Sequence, residues 1–402
     1  MSSPSGLSQE RLSRMHALMS GFVERGEVPG IITLLSRNGE THVDVVGSKS
    51  IGGEALHRDS IFRITSMTKP ITAVATMILV EQCKLRLDDP IERWLPELAD
   101  RRVLKRIDGP LDDTVPAHRA IRLRDLLTFR QGFGLIMQPS SDWPIQKAID
   151  AAQLNIGPPK PRTPHSPDEW LRRLGTLPLM YQPGERWMYN VGTHILSVLI
   201  ARASGQSLDA FFHEHLFEPL GMKDTSFVIP SEKRSRFVSS YWVNEKTGAL
   251  ELHDGVEDSV WNSAPAFPDG TAGLVSTVDD YLAFAKMMLN GGKLGNERIL
   301  SRLSIEAMTT DQLTAEQKAT SAFVPGYWDT RGWGFGIGIL TARDGSSSVP
   351  GRYGWDGGYG TSWGNDPRED MISILFTQRG GFPLSSPVWL DFWTAAYQAI
   401  DD

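Results

Sequence analysis

The chain has 402 residues, a net charge of −7 and a single cysteine, with 40% apolar and 22% charged residues. That length implies two or three units, or one large unit carrying an insertion, and the apolar share supports a substantial core rather than a disordered, solvated chain. Mild acidity argues against a nucleic-acid partner, and one cysteine excludes a disulfide framework or a cysteine-based zinc site.

Residues 7–26 carry Leu12, Met15, Leu18, Met19 and Phe22 at helical spacing and are predicted to form an amphipathic helix, ended by Pro29-Gly30. No apolar leader with a cleavage site is visible, and the longest apolar run, Ile71 to Val80, is too short for a bilayer. No membrane partner is therefore expected, and the expected location is cytoplasmic. Ile31 to Leu35, a turn at Asn38-Gly39 and His42 to Val46 read as a hairpin. Phe62-Arg63-Ile64 leads into a helix over roughly 66–83 that is apolar nearly all round, so it should be buried, Cys83 included.

From about 88 to 265 helical patterns dominate. The basic stretch 101–123 reads as a solvated face. Residues 136–168 hold seven prolines and are predicted to be a lid over a site or a spacer. Helices follow near 194–204 and 207–218. Gly270 to Thr277 then leads into a helix whose start is marked by Thr277 and Asp280 and whose end is marked by Asn290-Gly291-Gly292. Strands are predicted at 333–340, 352–356, 361–364 and 371–377, with a closing helix near 387–400. The order implies a discontinuous α/β unit, 1–87 plus 266–402, interrupted by a mainly helical unit, 88–265, that carries the loop 136–168.

Ser66-Met67-Thr68-Lys69 is the only S-x-x-K in the chain. Positions i and i+3 share one face of a helix, so a helix starting near Ser66 sets the Lys69 amine beside the Ser66 hydroxyl. Pro70 suits a first turn. The helix start offers Ser66 a positive dipole end and an unpaired backbone N–H, which is half an oxyanion hole. A lysine neutralised by burial could take the serine proton.

Further along stand Tyr189, after the turn Pro183-Gly184-Glu185-Arg186-Trp187, and Gly270-x-x-Gly273-Leu274-x-Ser276-Thr277. Together with Ser66-x-x-Lys69, these segments resemble the serine β-lactamase-like superfamily. The pattern fits the family VIII carboxylesterases and their relatives, the class C β-lactamases and D-alanyl-D-alanine carboxypeptidases. Val28-Pro29-Gly30, Leu85 to Pro90, Leu126-Leu127-Thr128 and Phe217 to Met222 extend the resemblance over nearly the whole chain. It implies an α+β fold, an antiparallel sheet flanked by helices, with a helical insertion.

By the same resemblance, Ser66 is the acylated nucleophile, Lys69 assists its deprotonation and Tyr189 serves as general base and then acid. A phenol near two positive groups is expected to titrate nearer neutrality. Trp355-Asp356-Gly357 matches the family's third motif, with tryptophan where β-lactamases carry a lysine that binds the lactam carboxylate. Gly357 would let the backbone approach substrate closely. The N–H of Gly358 would complete the oxyanion hole with that of Ser66. The resemblance thus implies a serine carboxylesterase acting on small esters, with Trp355, Asp356, Gly357 and Trp187 binding substrate and no metal or organic cofactor. β-Lactamase, peptidase and acyltransferase activities use the same acyl-enzyme and remain alternatives. Trp143, Trp187, Trp328, Trp333, Trp355 and Trp363 are candidates to line an apolar cleft.

Two departures weaken amide recognition or have no reading: Tyr189-Asn190-Val191 lacks the amide of Tyr-x-Asn, and Phe129-Arg130-Gln131-Gly132 follows Leu-Leu-Thr. Lys246-Thr247-Gly248 is a formal third motif but precedes Gly273-Leu274-Val275 and reads as a hairpin turn. Gly360-Thr361-Ser362-Trp363-Gly364 is a formal G-x-S-x-G, yet no histidine follows His253, so Ser362 lacks the downstream partner of an α/β-hydrolase. His213 and His215 stand at i, i+2 and do not share a helix face. Gly332 to Gly338 alternates glycine with bulky residues and reads as one strand lying against another backbone.

Overall fold

The N-terminal helix α1 (Gln9–Glu24) forms as the spacing dictates, burying Leu12, Met15, Met19 and Phe22, while Leu18 falls outside the buried stripe and is 37% exposed. The computed structural model describes residues 5–137, 142–157, 163–244, 246–321, 323–343, 345, 349–381 and 386–402. After α1, strands β1 (Gly30–Arg37) and β2 (Glu40–Gly47) pair antiparallel around Asn38 and Gly39, whose φ values of 51° and 82° make the tight left-handed turn.

The apolar segment after Phe62 divides in two. A short 3₁₀ turn covers Thr65–Met67, and α2 (Thr68–Glu81) continues from it, with every residue from Thr68 to Leu79 buried. Cys83 does not share that burial: the helix has ended, Cys83 turns to φ 58° and the thiol side is exposed. In the middle of the chain α3 (Val191–Ser204) is also apolar all round and buried, closing on Gly205 at φ 76°. Shorter helices and a hairpin, Ser240–Val243 with Leu250–Asp254, accompany it. Helix α4 (Val278–Leu289) starts where the Thr277 hydroxyl accepts from the Asp280 N–H and ends at Asn290.

The C-terminal part supplies β3 (Arg331–Trp333), β4 (Gly338–Leu340), β5 (Tyr353–Gly357), β6 (Thr361–Asp366) and β7 (Met371–Thr377), then α5 (Pro387–Gln398). The predicted single strand over 333–340 is therefore two strands. Gly334 N–H donates to the Ile337 carbonyl across a turn in which Gly336 has φ 68°. A side chain at Gly336 would stand 2.8 Å from the Ala73 methyl of α2, so the turn is pressed onto that helix.

All seven strands join one antiparallel sheet in the order β3-β4-β5-β6-β7-β1-β2. Alternation along β1 splits its side chains between two layers. Ile32 and Leu34 enter the large core with α2, α3 and α4, while Ile31 and Leu35 enter a second core with α1 and α5. This is a mixed α/β architecture, an antiparallel sheet flanked by helices on both faces. Among the described residues, no helix is long and apolar enough to cross a membrane, and no group of three His, Cys, Asp or Glu side chains converges as metal ligands would.

Candidate active site

Ser66 sits in the 3₁₀ turn at the head of α2, one turn before Lys69. The Lys69 ammonium nitrogen donates to Ser66 Oγ at 2.9 Å and to the Thr271 carbonyl at 3.1 Å. The i, i+3 spacing read from sequence thus produces the contact. Ser66 is 8% exposed and Lys69 wholly buried. Burial pushes the Lys69 amine down to about 7, against the pull of Asp269. A large fraction of the amine is then neutral at neutral pH and able to accept a proton.

Tyr189 closes the other side. Its hydroxyl accepts from Trp355 Nε1 at 2.9 Å and interacts with Ser66, and its ring centroid lies 4.6 Å from Lys69 Nζ. The expected fall of its pKa does not occur. Burial raises it well above the ordinary phenol, outweighing the hydrogen bonds from Ser66 and Trp355. The physical reason is that the phenol is wholly buried and the Asp356 carboxylate also disfavours the phenolate, while the Trp355 indole supplies a hydrogen bond but no positive charge. Tyr189 therefore rests as a proton donor.

The local backbone is held in uncommon conformations. Thr65, Phe129 and Asn190 take φ of 41°, 57° and 86°. Each stands next to a site residue or against Tyr189, and each costs about 1–2 kcal/mol that the surrounding packing must offset. Asn190 donates its side-chain amide to the Ile156 carbonyl. Phe129 and Trp187 pack on Tyr189, at ring distances of 5.9 and 5.6 Å. Trp187, predicted to bind substrate, is not on the cavity wall. It is buried behind Tyr189 in an aromatic cluster with Phe323, Trp328 and Trp333.

On the facing strand, Trp355 points to Tyr189 and packs edge-on against Trp333 at 4.6 Å. Gly357 does make a close backbone approach, but to the Ile64 carbonyl and Thr65 rather than to open space, so its small size seats β5 on the turn carrying Ser66. Thr361 Oγ1 reinforces that seat by donating to the Ile64 carbonyl at 3.2 Å. The β5–β6 turn that contains Gly358 is tied by Gly360 N–H to the Gly357 carbonyl and by Gly381 N–H to the Gly358 carbonyl, both at 3.0 Å. Ser66 and Gly358 both border a cavity of about 330 Å³.

That cavity is lined mainly by apolar and aromatic groups, with Trp355 and Trp363 among those predicted from sequence. Trp242, Trp389, Trp393, His194, Asp269, Arg331 and Arg352 also reach it and carried no local signal, because distant segments bring them together. Trp143 packs against the large core and Trp328 borders a neighbouring groove. Of the loop 136–168, residues 138–141 and 158–162 lie outside the described residues, while its flanks contribute Met137, Asn155 and Gly157 to the wall.

Asp356 borders the cavity, but its carboxylate accepts from Ser362 Oγ and from Trp389 Nε1 at 2.8 Å. Ser362 in turn accepts from the Trp389 and Trp393 indoles, both at 3.2 Å. The G-x-S-x-G serine is thus wholly buried between β6 and α5, away from Ser66. Lys246-Thr247-Gly248 forms the exposed tip of the hairpin, where Asn244 Oδ1 accepts from the N–H groups of Lys246 and Thr247. His213 and His215 lie in a π-helical turn, with His215 packed on Phe211.

The family profile described as Beta-lactamase matches residues 15–395. An uncharacterised protein of Mycobacterium tuberculosis is 36% identical over 364 residues, 88% of this chain and 87% of its own length. Esterase EstB of Burkholderia gladioli is 28% identical over 417 residues, 96% of this chain and 95% of its own. Among solved structures, EstCE1, described as a hydrolase with promiscuous acyltransferase activity, superposes with a TM-score of 0.80 at 23% identity, covering 97% of this chain and 99% of that one.

Proposed function

This chain belongs to the beta-lactamase family, and on that premise we propose that it is a serine carboxylesterase that hydrolyses small carboxylic esters through an acyl-enzyme on Ser66. The observation that carries the proposal is the 2.9 Å contact between Ser66 Oγ and a buried Lys69 amine held near 7. Ser66 attacks the ester carbonyl carbon while its proton passes to neutral Lys69. The developing oxyanion lies between the backbone N–H groups of Ser66 and Gly358. As the tetrahedral intermediate collapses, the phenol of Tyr189 protonates the leaving alkoxide and is reprotonated from Lys69. Water then adds to the acyl carbonyl by the same route, and the acid leaves as Ser66 recovers its proton.

The aromatic walls favour apolar acyl and alcohol groups. Trp355 in place of a cation removes the attraction for a lactam carboxylate, which sets esters ahead of β-lactams. Acyl transfer to an alcohol is the second reading, favoured by the description of EstCE1.

The test compares wild type with Ser66→Ala on p-nitrophenyl esters of graded chain length and on a chromogenic cephalosporin. Ester turnover in the wild type should vanish in Ser66→Ala, with slow or absent lactam opening. An acyl mass shift should map to the peptide containing Ser66. Retained activity in Ser66→Ala would sink the assignment.

A further inference from the structure

Asp269 is a buried carboxylate that the steps above do not use, although it borders the same cavity as Ser66. Its Oδ1 accepts from the Thr271 backbone N–H at 2.7 Å, and the Thr271 carbonyl is the second acceptor of Lys69. One residue therefore separates the carboxylate from the group that orients the amine.

The loop between them is pinned from two helices. From α3, Ser197 Oγ accepts from the Gly270 N–H at 3.0 Å, and Thr193 bonds Thr271 Oγ1 at 3.0 Å. From α2, Thr72 Oγ1 donates to the Gly270 carbonyl at 2.6 Å, and Thr68 Oγ1 accepts from the Leu274 N–H at 3.3 Å. A loop fixed this firmly transmits the position of Asp269 to Lys69 with little slack.

His194 fills the remaining side of the carboxylate. Its Nε2 lies 3.7 Å from Asp269 Oδ1, and its ring stacks on Trp170 at 5.1 Å. Burial lowers the imidazole's pKa, so at neutral pH it is uncharged and does not neutralise Asp269. The titratable groups around this point are Lys69 on α2, His194 on α3 and Tyr189 just ahead of α3, with Asp356 of β5 acting on Tyr189 from the far side. The carboxylate's field therefore falls on Lys69.

We propose that Asp269 is a positioning residue that holds the Thr271 carbonyl on Lys69 and sets the pH window in which Ser66 is activated. The proposal rests on the Ser66–Lys69 reading given above. It assigns Asp269 two separable effects, a hydrogen bond that orients and a charge that tunes. A negative charge favours the ammonium, so removing it favours the neutral amine and moves the rise of activity with pH to lower pH.

The two effects are separated by Asp269→Asn, which keeps an oxygen able to accept from Thr271, and Asp269→Ala, which loses charge and acceptor together. In Asp269→Asn the acid limb of kcat against pH should move down by about half a pH unit or more, with the plateau within about threefold of wild type. In Asp269→Ala the plateau kcat should fall by about tenfold or more with KM little changed. The same limb is read a second way, from the rate at which a fluorophosphonate labels Ser66, followed by intact mass, which needs no ester turnover. An unmoved limb in the isosteric Asp269→Asn overturns the proposal while leaving the esterase reading intact. Absent ester turnover in the wild type, with normal labelling and a shifted limb, overturns the esterase reading alone. Absence of labelling overturns both.

Discussion

Folding disfavours the charged form of Lys69, because burial strips the ammonium of water. An exposed lysine titrates near 10.5, and this one near 7. Between those values the unfolded chain holds a proton that the native state lacks, so stability rises with pH across that window and the penalty is full below it. Lys69→Met should therefore be more stable than wild type at pH 7, by at most about 4–5 kcal/mol, and unfold at a higher temperature, with the advantage shrinking toward pH 10. Thermal unfolding at several pH values measures this, and a pH-independent difference would refute it. The same variant should lose ester turnover by at least about 10³-fold. The pairing of Ser66 with Lys69 was legible in the sequence because three residues of helix dictate it. The state of Tyr189 was not, because it depends on burial and on which atom of Trp355, 166 positions away, faces the phenol.

At the level of elements, the seat of β5 on the Ser66 turn matters more than any one side chain on it. Gly357 permits the approach, Thr361 bonds across it and the ties of Gly360 and Gly381 fix the turn that carries Gly358. Ser362 supports this strand pair from behind by bridging Asp356 to two indoles of α5. Ser362→Ala should cost about 1–3 kcal/mol in urea unfolding, because buried polar partners lose a neighbour. Its kcat/KM should stay within about twofold of wild type, the reverse of Ser66→Ala, and a collapse of activity without a stability loss would contradict this placement. Strand positions were readable where apolar residues ran continuously, as in β7. The glycine alternation before β4 misled because each glycine answers to a different neighbour, Gly332 to Asp311, Gly334 to the Met308 carbonyl, Gly336 to α2 and Gly338 to Trp355, across a turn and not along one extended strand.

Across the whole molecule, the sheet is sealed by two cores of unequal size, and the smaller one borders the cavity only through Trp389 and Trp393. Phe392 of α5 is fully buried there. Phe392→Ala should lower stability by about 3–5 kcal/mol while leaving kcat per folded molecule unchanged, as calorimetry and active-site titration would show. A variant that lost activity while keeping its unfolding temperature would break this separation. The order of helices and strands along the chain followed from hydrophobic period and the layering from the family resemblance, but the strand order did not, since periodicity says nothing of which strand neighbours which. That order puts Ile31 of β1 opposite Thr377 of β7 in the middle of the sheet. During synthesis at about 5–20 residues per second, β1 waits on the order of tens of seconds for its partner. Through that interval the β1–β2 hairpin exposes a β-branched edge able to pair with other nascent chains, so yield in a cell should depend on chaperone occupancy and elongation rate more than on native stability.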